Sequence, residues 1–197
     1  MDTIDTSLAE HLRRQTRTAH EGVDQTIMAA RPFDTLENYA GYLRVQHGLF
    51  SAVAPLYARA DLVAVIADLA ERNRLEALRC DLGDLGETPP LEPASHLLHH
   101  QDGAYVLGWL YVVEGSNLGA AILLKHARGL GLDESHGARH LAAPPEGRAA
   151  YWRSFRAGLD AIDLGQATDP LMEARRNVVA GANAAFGCVR QLLRERL

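Results

Sequence analysis

The sequence predicts a single all-α domain, and three observations predict it. Apolar residues recur at helical spacing along most of the 197 residues. Strand-type alternation is nearly absent, and the helical runs are bounded by capping or breaking residues. Hydrophobic residues make up 47% of the chain and charged residues 23%, the balance of a globular protein with a sizeable core. No repeat, low-complexity segment or linker divides the chain, so residues 1–197 are expected to form one domain of six or more helices.

Ser7-x-x-Glu10 is a capping box that opens a helix from about Leu8 to Ala30, closed by Pro32. Asp34-x-x-Glu37 resembles a second cap, starting a helix through Tyr39, Tyr42, Leu43 and Phe50 that Pro55 kinks or ends. Leu62, Val65, Ile66, Leu69, Leu75, Leu78 and Leu82 mark a third helix, charged on its other face. The segment from Gly83 to Pro93, with Pro89-Pro90, reads as a loop, and a short turn around Ser95–His100 follows. A long central helix is expected from about Asp102 to Arg128, ended by Gly129 and Gly131. Beyond Pro144-Pro145, a helix from about Glu146 to Ile162 bears Trp152, Phe155 and Leu159. Asp169-Pro170 joins a good N-cap to a first-turn proline and opens the last helix, which runs to about Arg196.

The central stretch GWLYVVEGSNLGAA, residues 108–121, carries Gly115 and Gly119 one turn apart inside an apolar run. An interior glycine costs roughly 1 kcal/mol of helix stability relative to alanine. Residues four apart share a face, so the pair strips side chains from one patch, where backbone can meet another helix or a planar ligand. Close helix packing is the reading the pattern favours by itself. Ser116 and Asn117, between the glycines, can supplement the hydrogen bonds of a kinked backbone.

Composition excludes several classes. The net charge is −5 and no dense Lys/Arg block is present, which argues against a nucleic-acid partner. No apolar run reaches the ~18 residues of a membrane span. The first residues lack the basic-then-apolar order of a secretory signal, and Cys80 and Cys188 form no metal or redox motif, so a cytoplasmic protein with buried thiols is expected.

His20 lies in the middle of the first helix, with Arg13 nearly two turns earlier, about 10 Å away along the axis on roughly the same face. A neutral imidazole is a good iron ligand, and a guanidinium pairs well with a carboxylate. That separation suits a cofactor with a metal at its centre and acidic groups at its edge. Each residue alone reads as an ordinary surface side chain; joined to the glycine-faced helix, the pair gains force.

Taken together, the motifs TAHEGVD around His20, GWLYVVEGSNLGAAILLKHA on the central helix, LDESHGARHL after it, YWRSF at Tyr151–Phe155, and Phe186 resemble those of the bacterial heme oxygenases, in the family's order and nearly at its spacing. The resemblance implies a helical fold in which heme is sandwiched between a proximal and a distal helix. It makes His20 the axial ligand of the heme iron and Gly115 and Gly119 the distal glycines touching the heme face. Arg13 and, less directly, Lys125 become propionate contacts, and Phe186 a further heme contact. It also implies cleavage of heme, at once cofactor and substrate, to biliverdin, CO and ferrous iron for iron acquisition or for supply to a bilin-binding photoreceptor. A glycine-lined wall places no imidazole over the iron, and water held by backbone carbonyls, Ser116 or Asn117 is expected to deliver protons. The second ring nitrogen of His20 needs an acceptor, for which Glu21 and Glu114 are the candidates. Mammalian-type members carry an aspartate where this chain has Ser116, which leaves the proton-relay residues open. No flavin- or nucleotide-binding glycine motif is present, so the O2-dependent reaction would draw electrons from a separate reductase or ferredoxin, with Arg13, Arg14, Arg17 and Lys125 as a basic docking patch. A monomer fits the size and the family.

The remaining histidines and aromatics read as structural. His136 and His140 have a metal-ligand spacing, but glycines and prolines surround them and no third ligand is evident. His96, His99 and His100 read as a solvated cluster. His126 lies roughly 16 Å from Gly115 along an unbroken helix, too far for a second axial ligand. Trp109, Trp152 and Phe155 are expected in the core, with Tyr111 pointing partly off the glycine face. Two rivals are weaker: a heme carrier or sensor on the same fold, and a non-heme di-iron oxidase or thiamin-type hydrolase. No Glu-x-x-His supports a di-iron site, and neither cysteine has an obvious activating partner.

Overall fold

Side-chain caps and a few inward-turned polar groups decide where the helices of this protein begin and break. The computed structural model describes residues 7–66, 68–93, 95, 97, 102–161 and 169–197. They form α1 (Leu8–Ala29), α2 (Leu36–Val53), α3 (Ala60–Val63), α4 (Leu75–Asp84), α5 (Gly103–Ser116), α6 (Ala120–Gly129), α7 (Arg148–Ala161) and α8 (Asp169–Arg196). Short 3-10 turns lie at Ala54–Ala58, Leu69–Arg72 and Arg139–Leu141. Among the described residues β-structure is limited to isolated bridges from Asp133 to His136 and Gly137, so the architecture is all-α.

Ser7 caps α1 as its box predicts, accepting from the Glu10 amide at 3.4 Å, and its hydroxyl also reaches Asp160 on α7 at 2.9 Å. The cap of α2 is Thr35 and not Asp34: Thr35 has an extended backbone and accepts from the Asn38 amide at 3.1 Å, while the Asp34 carboxylate is paired with Arg31. Pro55 turns the end of α2 into a 3-10 turn.

Two expected helices are broken. The run from Leu62 to Leu82 divides into α3, a 3-10 turn and α4. Its breaking point is Asn73, in an extended conformation, whose side chain accepts from the Leu75 amide at 3.0 Å and so competes with helical bonding. The break turns Arg72 inward. The central helix is likewise two helices, α5 and α6, set at 48° to each other. Gly131, at φ +81°, follows the end of α6. The turn expected at Ser95–His100, with His96, His99 and His100, falls largely outside the described residues, as does Ile162.

The hydrophobic core is organised on α8, which packs against α5, α1 and α2. At the α5–α8 crossing Gly108 and Gly181 bring backbone against backbone. A Cβ on Gly108 would overlap the Val178 carbonyl oxygen, and one on Gly181 would overlap the Tyr105 carbonyl oxygen.

Near the other end of α5, Glu114 is buried. It accepts from Tyr57 Oη at 2.8 Å and from Arg72 Nη1 at 3.0 Å. Arg72 also donates to Asp68 and to the Tyr151 carbonyl, with its guanidinium 3.8 Å over the Tyr151 ring. This network fixes α5 to the Leu69–Arg72 turn and to α7. Among the described residues no single helix is long and apolar enough to cross a membrane.

Two predictions follow from this packing. Gly108→Ala or Gly181→Ala is expected to cost about 3 kcal/mol or more, because helix backbones must separate. Gly22→Ala, in open space within α1, should stabilise by about 1 kcal/mol, with urea unfolding of the three variants as the check. The second concerns pH. Burial lowers the pKa of both His47 and His140 from the ordinary value of 6.5, against the pull of Glu92 and Asp81 respectively. The unfolded chain therefore binds protons that the folded chain refuses, so these two groups remove stability as pH falls below about 6.5 and have no such effect above it. Thermal unfolding between pH 8 and pH 5 should show Tm falling only on the acid side, with a shallower slope in His47→Gln.

Candidate functional site

Helix α1 faces the α5–α6 pair across a cavity of about 700 Å³, a size usual for cofactor and small-molecule sites. Residues of α2, α7 and α8 complete its walls.

His20 lines this cavity from α1, its side chain 59% exposed. Its Nδ1 lies 3.2 Å from Asp24 Oδ2, one helical turn on. The carboxylate beside Nδ1 is thus that of Asp24, and neither Glu21 nor Glu114, the latter being held in the buried Arg72 network. Their spacing of one turn in the sequence was the available signal. A carboxylate beside Nδ1 helps to orient the ring so that Nε2 is left for a metal. Phe186, from α8, meets the His20 ring edge-on, with centroids 5.9 Å apart at 85°, and also lines the cavity.

The opposite wall is the α5–α6 break. From Asn117 to Ala120 each amide donates to the carbonyl three residues back, at 3.1–3.3 Å, a tightened turn that resumes as α6. A Cβ on Gly115 would lie 3.6 Å from Trp152, and one on Gly119 3.7 Å from the Ser116 carbonyl, both ordinary van der Waals distances. Packing within the protein would therefore accept alanine at both positions, and helix crossing is served instead by Gly108 and Gly181. The room that Gly115 and Gly119 leave belongs to the cavity they line.

Ser116 Oγ donates to the Val113 carbonyl at 2.7 Å, so its proton is engaged. Asn117 is buried on the cavity wall, and its Nδ2 has no hydrogen-bond partner among the described residues.

Arg13 and Arg17 stand on the α1 edge of the cavity, Arg13 also pairing with Glu10 at 3.2 Å. Tyr111, expected partly off the glycine face, also lines the cavity; burial pushes its phenol up, while Arg13 and Arg156 pull it the other way. Trp152, expected in the core, is half-buried and faces the cavity, stacked on Phe155 at 5.6 Å. The kink of the central helix and the placement of α7 bring these two rings round, and linear periodicity carries no sign of either. Lys125 does not join them: it is exposed on α6 and is not among the lining residues. His126 packs against Phe33, and His136 pairs with Asp84. His140 is buried on the cavity wall against Asp81, a role the sequence did not suggest. Among the described residues no group of three or more His, Cys, Asp or Glu side chains could hold a metal ion. The arrangement fits a flat ligand whose iron takes a single protein ligand: one carboxylate-backed imidazole on one side, a side-chain-free wall on the other, and cations at the edge.

Comparison with known proteins agrees with this geometry. The family model described as heme oxygenase matches residues 6–195. The chain is 39% identical over 199 residues to heme oxygenase PigA of Pseudomonas aeruginosa, covering 98% of each chain. It is 31% identical over 155 residues to a heme oxygenase of Xanthomonas campestris pv. campestris, covering 76% of this chain and 85% of that one. The solved NO- and CO-bound heme oxygenase from Neisseria meningitidis superimposes with a TM-score of 0.88 at 38% identity, over 96% of this chain and 92% of that one. By both sequence and architecture, over nearly its whole length, this chain belongs to the heme oxygenase family.

Proposed function

We propose that this heme oxygenase holds heme between His20 and the Gly115–Gly119 turn, and cleaves it with O2 and external electrons to biliverdin, CO and ferrous iron. Bound heme supplies the redox-active iron and is itself the substrate. The observation that carries the reading is that Gly115 and Gly119 are not required by any protein contact yet line the cavity facing His20.

His20, with Asp24 beside its Nδ1, would offer Nε2 to the heme iron. Phe186 restrains the plane of the imidazole ring. Arg13, with Arg17 beside it, pairs with the carboxylates at the heme edge. The glycine wall would leave the facing side of bound heme clear of side chains, and the half-buried Trp152 and the apolar walls would limit the entry of bulk water. Asn117, Ser116 and the backbone of the turn hold water on that side.

An electron-donor protein, a reductase or ferredoxin, docks at the edge bearing Arg13, Arg14 and Arg17. The cavity is lined within one chain, which supports a monomer; Cys80 is exposed and Cys188 half-buried, so the thiols are not the buried pair expected, but both are free, which suits the cytoplasm. The product serves iron acquisition or supplies a bilin-binding photoreceptor.

One equivalent of heme is expected to give a sharp Soret band, which ascorbate in air converts to broad red absorption. His20→Ala abolishes that conversion. A Soret band stable under reductant would instead mark a carrier, and no Soret band would reject the heme site. Gly115→Ala should leave urea unfolding within about 0.5 kcal/mol of the parent while altering the visible spectrum and slowing the conversion.

A further inference from the structure

A second cavity, of about 390 Å³, lies between α2, α4 and the segment 89–93, and no residue lines both it and the cavity facing His20. Helix α2 supplies a wall to each, Gln46 and Phe50 to the first, His47 and Ser51 to the second. The proline segment is a preformed wall. Pro89, Pro90 and Pro93 restrict their own φ angles. The segment is tied at both ends, by Arg44 to Glu87 at 2.8 Å and by Arg196 to the two oxygens of Glu92 at 2.7 and 2.9 Å. Between these ties Leu91 is fully exposed at the edge of the cavity.

His47 lines this cavity although it is only 2% exposed. Its Nδ1 is hydrogen-bonded to Glu92 Oε1 at 3.3 Å. Against the effect of burial, Arg196 and His47 hold the Glu92 pKa below its ordinary value, so the partner is a carboxylate. A carboxylate only accepts; Nδ1 therefore carries the hydrogen and Nε2 presents a lone pair. Burial lowers the His47 pKa, with Arg79 and Arg196 assisting and Glu92 opposing, which keeps the ring neutral near pH 7. Nε2 is buried and has no hydrogen-bond partner among the described residues. A buried acceptor without a donor is destabilising, and this one belongs to a residue that lines a cavity. Arg79 lines the same cavity with a half-exposed side chain, only loosely paired with Glu76 at 3.4 Å, so its guanidinium can turn to an anion. The charge of Glu92 is already taken up by Arg196.

The lining thus offers an acceptor that wants an O–H, a cation at the side of α4, and proline and leucine surfaces between. Proline-rich surfaces pack well against aromatic rings. We propose that this cavity is a second binding site, for a small phenolic carboxylic acid: its hydroxyl donates to His47 Nε2, its carboxylate pairs with Arg79, and its ring lies along Pro89, Pro90 and Leu91. The site stands apart from the heme reading and does not depend on it.

The probes are 4-hydroxyphenylacetate and phenylacetate, which differ by the hydroxyl alone, titrated into the full-length protein with and without heme and followed by nitrogen-15 NMR. Before titration the His47 ring should show a protonated Nδ1 and a bare Nε2. The phenol should bind saturably at millimolar concentrations or below, shifting His47 Nε2 and the amides of α2, α4 and residues 87–92, whether or not heme is present. Phenylacetate should bind roughly 10-fold more weakly, the worth of one hydrogen bond. His47→Phe should erase that difference, and Arg79→Leu should weaken both acids roughly 10-fold. Should His47→Phe not fold, the two acids compared on the parent and on Arg79→Leu, a change at the surface, decide the matter. Equal affinity for the two acids, no saturable binding, or displacement of the phenol by heme would overturn the proposal. A missing Soret band would reject the heme reading and leave this site untouched.

Discussion

The contact on which the rest of the molecule depends is the crossing of α5 and α8 at Gly108 and Gly181. Both α1 and α5 rest on α8, so the closeness of that crossing sets how far apart the histidine-bearing and glycine-bearing helices stand. Glu114 supplies the second constraint, one residue before Gly115. Breaking a buried ion pair by removing one partner generally costs about 3–5 kcal/mol, because a charge is left uncompensated in a low-dielectric interior. With Glu114 held by Arg72 and Tyr57, α5 is not free to rotate about its axis. One end of the helix is set in depth and the other in rotation, and the turn that follows inherits both.

Two classes of glycine share one helix here. Gly108 is small because backbone lies against it; Gly115 is small although the nearest side chain would tolerate a methyl group. In the sequence the two look alike, and close packing was a reasonable account of either. Only the surroundings separate a glycine that serves helix packing from one that opens onto the cavity.

The helical class and most helix ends were legible because each rests on local periodicity or on a cap, and the facing of His20 and the glycine turn across one cavity because both follow from spacing within a helix. The failures have a common cause. Thr35 takes the cap from Asp34 because Arg31 engages the aspartate, and the third helix breaks so that Arg72 can reach Glu114. The central helix bends where carbonyls are satisfied by a tighter turn. The roles of Tyr111, Trp152 and the Asp81–His140 pair depend on helices meeting far along the chain. Asp24 was the one readable omission, a carboxylate one turn from the imidazole it orients.

The cavity is rimmed by apolar side chains that remain in water: Met28 at 57% exposure, Leu118 at 46% and Ile122 at 64%. In the proposed site, a flat hydrophobic substrate seated between them would shield these lips and fill the space between α1 and α5. The substrate is then also a structural element, and a ligand that binds only the folded form adds stability in proportion to its occupancy. Each turnover destroys that element. With the substrate in that place, the protein would be least stable, its apolar opening uncovered, in the interval between releasing one product and capturing the next substrate.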